Sequence, residues 1–254
     1  MQERVNSLKA AAQAGRPHIG IWCSLASALT TEIVAGSGAG WVLIDGEHSP
    51  NHLRSIMAQL QVMGGFDSEP VVRLPSDDPN LIKQAMDIGA RSLMIPNVRT
   101  ADQARAIVAA MTYAPGGFRG FSVAHRANAF GRITGYHARA RDQQLLAVQI
   151  EDEAGVANAA EIAAVDGVDV LFVGPGDLST NMGAMGNPDA SYVQEAIASV
   201  RKAAAAAGKA SGILAPVKAD ADRYLADGFI VVAVGSDLGL LARGSDALIA
   251  SFTQ

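Results

Sequence analysis

The strongest constraint on the fold is a regular alternation of short apolar runs with longer segments of helical character. Most of the runs are apolar throughout and rich in β-branched residues, which is typical of strands buried on both faces. Strands that alternate with helices predict a parallel sheet. The sequence contains eight such runs, which are His18–Ser24, Trp41–Asp45, Pro70–Leu74, Ser92–Ile95, Leu145–Ile150, Asp169–Val173, Ser211–Leu214 and Phe229–Val234.

Eight strand–helix repeats in 254 residues predict an α/β fold, a single-domain (β/α)8 barrel that covers residues 1–254. The alternative is an open doubly wound sheet, which usually carries a glycine-rich turn after its first strand. Residues 23–27 (CSLAS) follow the first run without a glycine, so the barrel is favoured. Residues 238–252 are predicted to form the eighth helix or a helix that packs on a partner subunit.

Local signals predict where several helices begin. The dipeptide Asp78-Pro79 has the pattern of an N-cap residue followed by a proline in the first turn, and Ser49-Pro50 repeats it. Thr100 and Asp220 are two further predicted N-cap residues.

Composition excludes several classes of function. With 20 Lys and Arg against 25 Asp and Glu, the net charge is −5, so general affinity for nucleic acid or an anionic membrane is not expected. The sequence has no apolar run long enough to span a membrane. A single cysteine, Cys23, excludes an intrachain disulfide, and the polar N-terminus lacks the apolar core of a signal peptide. A cytoplasmic location is therefore expected.

Polar residues cluster where the predicted strands end, which is where (β/α)8 barrels carry their chemistry. Buried polar groups need partners, so these side chains are expected to converge on a ligand. They are Asp45, Glu47 and His48 after the second strand, Arg73 at the third, Gln149 and Glu151 at the fifth, residues 174–177 after the sixth, and residues 235–237 after the eighth.

Two of these carboxylates are candidate metal ligands. Glu151 and Asp177 follow neighbouring strands, and without nearby cysteine they suit a hard cation such as Mg²⁺ or Mn²⁺. Such a site leaves positions for water and for a chelating substrate. The alternative is that either acid caps the following helix or pairs with an arginine.

His48 is the best candidate for a general base, because an imidazole with an ordinary pKa of about 6.5 is largely neutral at pH 7. Alternatively, it caps the helix that follows. Asp45 either orients His48, binds a metal-bound water or forms a turn with its own backbone. His52 is expected to face solvent, and His125, in the insertion after the fourth strand, is a candidate for the mouth of the site.

Two features indicate that the site recognises an anion. Arg73 presents a planar cation that suits a carboxylate or an oxyanion, unless it pairs with Glu151 or Asp177. Residues 174–177 (GPGD) offer backbone N–H groups ahead of a helix, which can hold a substrate carboxylate or form a plain turn. Asp237 would repel an anion, which argues against a phosphate site after the eighth strand. No lysine ends a predicted strand, which disfavours Schiff-base chemistry and favours a metal.

Five segments together resemble the HpcH/HpaI aldolase family, although no one of them is specific alone. They are residues 41–48 (WVLIDGEH), 70–73 (PVVR), 148–151 (VQIE), 174–179 (GPGDLS) and 232–237 (VAVGSD). Residues 118–128 and 212–216 are most similar to the 5-keto-4-deoxyglucarate aldolase branch, and the 4-hydroxy-2-oxoheptanedioate aldolases are similar throughout. The resemblance implies a class II, metal-dependent pyruvate aldolase on a TIM barrel of the phosphoenolpyruvate/pyruvate-binding type.

The resemblance also implies residue roles. It makes His48 the catalytic base, Arg73 the residue that stabilises the enolate, and Glu151 and Asp177 the metal ligands. The implied substrate contacts are Gln149, Gly176, Asp177 and Arg73. The turn at residues 174–177 adds Gly174 to the predicted substrate-binding residues, and Leu214 is added as an apolar contact that affects specificity for the aldehyde. Relatives often carry alanine or serine at position 176, so the glycine here keeps the backbone donors but lacks a serine hydroxyl.

One implied residue comes from another subunit. Asp87 matches an acid that the family supplies to the catalytic histidine from a neighbouring subunit, although the sequence alone indicates a solvated helix residue. The resemblance therefore implies a homo-oligomer, a hexamer in this family, whose active site is complete only after assembly.

The expected reaction is the reversible cleavage of a 4-hydroxy-2-oxo acid to an aldehyde and pyruvate, or a close analogue such as hydroxypyruvate, with Mg²⁺, Mn²⁺ or Co²⁺. One alternative is a coenzyme A thioester lyase similar to malyl-CoA or citramalyl-CoA lyases. Its nucleotide phosphates would need a basic rim, for which the candidates are Arg126, Arg132, Arg139 and Arg141. Another alternative is a non-catalytic barrel that binds pyruvate.

Overall fold

Eight strands hydrogen-bond in sequence order and the first pairs with the last, so the sheet closes into a barrel. This architecture comes from a computed structural model that describes residues 4–253. All neighbouring strands are parallel, which confirms the predicted barrel over the open sheet. The strands are β1 (His18–Cys23), β2 (Trp41–Asp45), β3 (Glu69–Arg73), β4 (Ser92–Ile95), β5 (Leu145–Ile150), β6 (Val170–Val173), β7 (Ala210–Leu214) and β8 (Val231–Ser236).

One helix, α1 (Ser7–Gln13), precedes β1, and its Leu8 packs with the side chains inside the barrel. The other helices follow the strands on the outside of the barrel. They are α2 (Ala28–Ala35), α3 (Leu53–Met63), α4 (Pro79–Asp87), α5 (Ala101–Met111), α6 (Tyr136–Arg139), α7 (Glu153–Ala157), α8 (Ala159–Ala163), α9 (Pro175–Asn181), α10 (Ser191–Ala206), α11 (Lys218–Ala226) and α12 (Asp237–Ala250). Short 3-10 turns lie at Arg126–Asn128 and Ala140–Gln143.

The predicted strands agree with the observed ones to within two residues at each end. Two predicted N-caps are confirmed, because Asp78 accepts a hydrogen bond from the Asn80 N–H at 2.7 Å and Thr100 accepts one from the Gln103 N–H at 3.1 Å. These caps satisfy backbone donors that the first helical turn leaves free.

Two other predicted helix starts are wrong. Helix α3 begins at Leu53 with His52 as its exposed N-cap, whose Nδ1 accepts the Ser55 N–H at 3.1 Å. The Ser49 hydroxyl instead donates to the Asp45 carbonyl, which makes Ser49-Pro50 part of a turn after β2. Helix α11 begins at Lys218, so Asp220 lies inside its first turn.

Side chains of the strands fill two apolar layers. Inside the barrel, Trp41 packs edge-on against Phe172, with their ring centroids 6.3 Å apart. Two glycines make room for these rings, since a Cβ atom at Gly20 would lie 2.1 Å from Trp41 and one at Gly212 would lie 2.4 Å from Phe172. The outward side chains pack under the helices, which explains why the strands are apolar on both faces.

The last helix, α12, has almost no buried surface within the chain. Of its residues only Asp237 and Gly239 are buried, while Leu240 and Leu241 are each 61% exposed. Within residues 4–253, no helix combines the length and the hydropathy needed to cross a membrane.

Candidate active site

The strand ends bring most of the predicted site residues to one face of the barrel. Asp45, Arg73 and Leu214 are the last residues of β2, β3 and β7. Glu151 directly follows β5, and Gly174 directly follows β6. Because all strands of a parallel barrel end on the same face, these residues surround one opening.

Arg73 is a buried cation between two carboxylates. Its Nε lies 2.9 Å from Asp45 Oδ1 and its Nη1 lies 2.8 Å from Glu47 Oε2. The guanidinium carbon stands 4.3 Å from the centroid of the Trp22 ring, in cation–π geometry. Arg73 thus pairs with Asp45 and Glu47 rather than with Glu151 or Asp177.

Asp45 organises the turn that carries His48. Its Oδ1 accepts the backbone N–H groups of Glu47 at 3.0 Å and His48 at 3.3 Å, and its Oδ2 accepts the Ser24 hydroxyl at 3.3 Å. Burial opposes ionisation, but the hydrogen bond and charge of Arg73 outweigh it and lower the pKa of the Asp45 carboxyl. Asp45 is therefore a charged anchor for Arg73 and for the backbone of this turn.

Glu151 is held in place by two donors. The Asn97 backbone N–H donates to Oε1 at 2.8 Å from a left-handed conformation (φ 54°), and Gln149 Nε2 donates to Oε2 at 3.1 Å. Burial raises the pKa of the Glu151 carboxyl to about 7; the Asn97 N–H opposes this shift, while the charges of Asp177 and Glu47 add to it. The site thus holds a buried carboxyl group that resists carrying its charge without a further cation.

The turn from β6 to α9 brings Asp177 towards Glu151. A Cβ atom at Gly174 would lie 2.7 Å from Glu151 Oε2, so only glycine lets this turn approach the carboxylate. Asn181 Nδ2 donates to the Glu151 carbonyl at 3.1 Å and to the Asp177 carbonyl at 3.0 Å, which ties the two segments together. Asp177 itself is exposed in the first turn of α9.

The oxygen donors at this opening fit a hard divalent cation. Glu47, Glu151 and Asp177 bring three carboxyl groups into mutual electrostatic influence, with the Arg73 cation beside them. Gln149 Oε1 is buried and has no hydrogen-bond partner in residues 4–253. No group of three or more His, Cys, Asp or Glu within metal-binding reach occurs in that range, but two carboxylates with water and substrate suffice for the expected site.

The imidazole of His48 is not held by a strong contact. Its side chain is 67% exposed, and Nε2 lies 4.0 Å from Glu47 Oε2. The hydrogen bond from His48 to Asp45 involves its backbone N–H rather than its ring. The ring can therefore reach a molecule in the opening, but within residues 4–253 no acid orients it directly.

The remaining residues at this face have distinct surroundings. Leu214 is partly exposed at the end of β7, where it adds an apolar wall. A Cβ atom at Gly176 would meet nothing within 4 Å, so packing does not require glycine there. Asp237 is buried, and its carboxylate accepts the N–H groups of Ser24 at 2.8 Å and Leu25 at 3.2 Å, which makes it an anchor for the loop after β1.

Asp87 and His125 lie at the opposite end of the barrel. Asp87 is the last residue of α4, and the insertion that carries His125 follows α5. Helices run back towards the amino ends of the strands, so both residues lie away from the opening. His125 therefore does not line the mouth of its own site, contrary to expectation, and Asp87 cannot reach the His48 of its own chain.

The insertion arginines do not form a basic rim at the opening. They lie in the same insertion and donate to backbone carbonyls: Arg126 to Ile88 and Leu60, Arg132 to Ala129, Arg139 to Thr134, and Arg141 to Gln144 and Gly167. Within the part of the chain that the structure describes, the four arginines that were to form a basic rim for a coenzyme A thioester therefore do not lie at the opening.

Four residues of the site had no role assigned from the sequence. Glu47 belongs to the WVLIDGEH segment, so its position after a strand was a usable signal. Asn181 lies one helical turn beyond Asp177, a spacing that also could have indicated it. Trp22 and the backbone N–H of Asn97 act through packing and main-chain geometry, which leave no pattern in the sequence.

Comparison with known proteins gives a consistent assignment. The family model described as HpcH/HpaI aldolase/citrate lyase matches residues 18–244. A 4-hydroxy-2-oxovalerate aldolase from Rhodococcus jostii is 47% identical, over 100% of this chain and 98% of that protein. A 4-hydroxy-2-oxo-heptane-1,7-dioate aldolase from Salmonella dublin is 48% identical, over 97% of this chain and 94% of its own.

A solved structure agrees with these sequences. The crystal structure of an HpcH/HpaI aldolase/citrate lyase family protein from Burkholderia cenocepacia superposes with a TM-score of 0.95 and 37% identity, covering 98% of this chain and 100% of that one. The resemblance drawn from the strand-end motifs is thereby confirmed. This chain belongs to the HpcH/HpaI aldolase/citrate lyase family.

Proposed function

We propose that this protein is an aldolase that reversibly cleaves a 4-hydroxy-2-oxo acid to an aldehyde and pyruvate, or a close analogue such as hydroxypyruvate. The observation that carries the proposal is the buried Arg73 guanidinium at the same opening as the carboxylates of Glu151 and Asp177. The aldolase names of two relatives with 47% and 48% identity support it.

Glu151 and Asp177 would hold a divalent cation, Mg²⁺, Mn²⁺ or Co²⁺. When bound, it supplies Lewis acidity for the 2-oxo group and the carboxylate of the substrate. The backbone N–H groups of Gly176 and Asp177 and the side chain of Gln149 bind the pyruvate part, while Gly174 leaves space for Glu151. Leu214 contacts the aldehyde part.

Arg73 stabilises the charge that develops during cleavage. Its position between Asp45 and Glu47 is fixed before substrate binds, so little reorganisation is needed as the enolate oxygen forms. In the cleavage direction His48 accepts the proton of the 4-hydroxyl, directly or through a water molecule. The C3–C4 bond breaks, its electron pair forms the enolate, and a proton then returns to C3 to give the methyl group of pyruvate.

The functional unit is proposed to be a homo-oligomer, and a hexamer fits the family resemblance. Exposed apolar residues of α12 support packing of residues 238–252 on a partner subunit, with Leu238, Leu248 and Ile249 at 53%, 61% and 63% exposure. In this assembly Asp87 supplies the carboxylate that orients the partner subunit's His48. Within residues 4–253 of one chain, the His48 ring has only the 4.0 Å contact with Glu47.

Hydrogen–deuterium exchange at the methyl group of pyruvate tests the proposal without a choice of aldehyde. Exchange is followed by NMR in D₂O after chelator treatment and again with Mg²⁺, Mn²⁺ or Co²⁺ restored. We expect metal-dependent exchange that falls at least about 100-fold in His48→Ala. The matched control is His52→Ala, which changes an exposed helix cap in the same segment and should keep the rate. An inert wild type with all three metals would overturn the proposal.

A further inference from the structure

Asp87 sits where a carboxylate is electrostatically unfavourable. It is the last residue of α4, and the carboxyl end of a helix carries partial negative charge. Its side chain is 27% exposed, so it is neither fully solvated nor fully buried. A carboxylate held in this position needs a compensating cation, and that cation is Arg119.

Arg119 forms a buried ion pair with the Asp87 carboxylate. Its side chain is 0% exposed, and Nη2 donates to Asp87 Oδ1 at 2.7 Å. Its guanidinium carbon lies 4.5 Å from the centroid of the Tyr113 ring, which fixes the plane of the fork. Nε and Nη1 find no hydrogen-bond acceptor among residues 4–253. Burial of a cation with a single anionic partner is costly in free energy, because the cation loses its hydration. We therefore expect a role of Arg119 beyond joining two segments of the chain.

The contacts to Asp87 are all made on one side of its carboxylate. His125 Nε2 lies 3.9 Å from Oδ1, the same oxygen that accepts from Arg119, and 3.3 Å from the Tyr113 hydroxyl. Burial lowers the pKa of the His125 imidazole, which keeps it neutral and leaves Arg119 as the cation at Oδ1. No donor within the described range of the chain contacts Oδ2, which is thus available to an outside group.

The segment that supplies Arg119 to Asp87 also carries exposed apolar side chains. Phe118, Phe121, Val123 and Phe130 are 58%, 66%, 73% and 64% exposed, and we call them the 118–130 surface. Several exposed apolar side chains on one segment are typical of a contact surface. A second copy of this chain fits this surface, because its opening carries an exposed histidine whose contact with an acid of its own chain, Glu47, is as long as 4.0 Å.

We propose that Arg119 is a positioning residue for catalysis in a neighbouring subunit. It holds Oδ1 of Asp87 so that Oδ2 points out of the 118–130 surface and accepts a hydrogen bond from the partner subunit's His48. Arg119 does not touch the substrate and acts only through Asp87. This inference rests on the proposed function, since Arg119 and Asp87 are assigned to the same active site.

Mixed oligomers test the inference directly. Chains with His48→Ala keep Asp87 and Arg119, and chains with Asp87→Asn keep His48. Each is expected to be nearly inactive alone in pyruvate exchange, and co-expressed oligomers are expected to recover activity because one kind of chain supplies the acid and the other the base.

The placement of Arg119→Met then separates positioning from a structural role. On the His48→Ala chain, which supplies Asp87, it should abolish the recovery. On the Asp87→Asn chain, which supplies His48, it should leave the recovery intact. A structural role of Arg119 predicts the same loss from either chain, and that result would overturn the inference.

Homogeneous variants provide a second readout. Arg119→Met should lower kcat for exchange about 10- to 100-fold with KM for pyruvate nearly unchanged, and it should add nothing in an Asp87→Asn background. Arg119→Lys keeps the charge and should recover part of kcat in case Arg119→Met does not fold. Arg105→Met, which breaks an exposed pair with Asp102, is the matched control and should behave as wild type.

The outcomes also separate this inference from the proposed function. A wild type without exchange under any metal would overturn both. Active wild-type protein whose complementary mixtures remain inactive, although light scattering shows mixed oligomers, would overturn the inference alone.

Discussion

Asp45 and Arg73 are paired by strand register, since the parallel ladder of β2 and β3 places Asp45 beside Arg73 as the last pair. Their side chains meet at 2.9 Å between Arg73 Nε and Asp45 Oδ1, and both are almost completely buried. Two strands that end at the same level thus fix a cation at the opening of the barrel. Its position depends on the sheet, whereas the His48 ring lies on a turn.

Asp45→Asn should damage both stability and activity. The amide removes the negative charge next to Arg73, but Glu47 remains as a second partner, so the expected loss is about 1–3 kcal/mol in the free energy of unfolding. Urea titrations measure this loss, and pyruvate exchange should fall in parallel. Asp102→Asn, which affects an exposed ion pair, is the control and should leave both unchanged. Equal stability of Asp45→Asn and wild type would show that Glu47 alone is enough to stabilise the buried Arg73 cation.

The Arg73→Lys variant should have low activity, although the positive charge is kept. Lysine is a point charge and cannot contact Asp45 and Glu47 with two arms of a planar fork, nor stack on Trp22 in the same way. We expect kcat for pyruvate exchange to fall at least about 10-fold, a loss of roughly 1.4 kcal/mol in transition-state stabilisation. Turnover close to wild type would reduce Arg73 to a structural ion pair.

Metal binding should depend on Glu151 and Asp177 separately. Calorimetric titration of the chelator-treated protein with Mn²⁺ should show one site per chain, and Glu151→Gln or Asp177→Asn should weaken it strongly because each removes an anionic oxygen donor. Asp102→Asn changes an exposed carboxylate that pairs with Arg105 on α5, so it provides the control. Unchanged Mn²⁺ affinity in both site variants would place the cation elsewhere.

The order of the strands and the residues at their ends could be predicted, because each depends on a local pattern such as the apolar run Leu145–Ile150 followed by Glu151. The partners of Arg73 could not, since they depend on which way side chains leave two neighbouring strands. The place of His125 was missed for another reason. The insertion comes after a complete helix, Ala101–Met111, which returns the chain to the amino end of the barrel.

Packing inside the barrel should make Gly20 sensitive to a single added methyl group. A Cβ atom there would lie 2.1 Å from the Trp41 ring, which is fully buried and cannot move aside. We expect Gly20→Ala to lower the free energy of unfolding by about 1–3 kcal/mol. Gly65→Ala is a suitable control because the new methyl group meets only the Val62 carbonyl at 3.6 Å. Similar unfolding curves for the two variants would mean that the barrel interior adapts.

His18 at the start of β1 should make stability depend on pH. Burial lowers the pKa of its imidazole below the ordinary 6.5, against the opposing effect of a backbone hydrogen bond at Gly40. The folded protein therefore binds fewer protons than the unfolded chain, so the contribution of His18 is complete above pH 6.5 and is lost as pH falls through the lower folded-state pKa. Urea unfolding of wild type and His18→Gln should give similar pH slopes near pH 8, where the imidazole is neutral in both states. Between pH 6.5 and 5.5 the wild type should lose more stability than the variant, and identical slopes there would contradict a partly buried imidazole whose pKa is lowered.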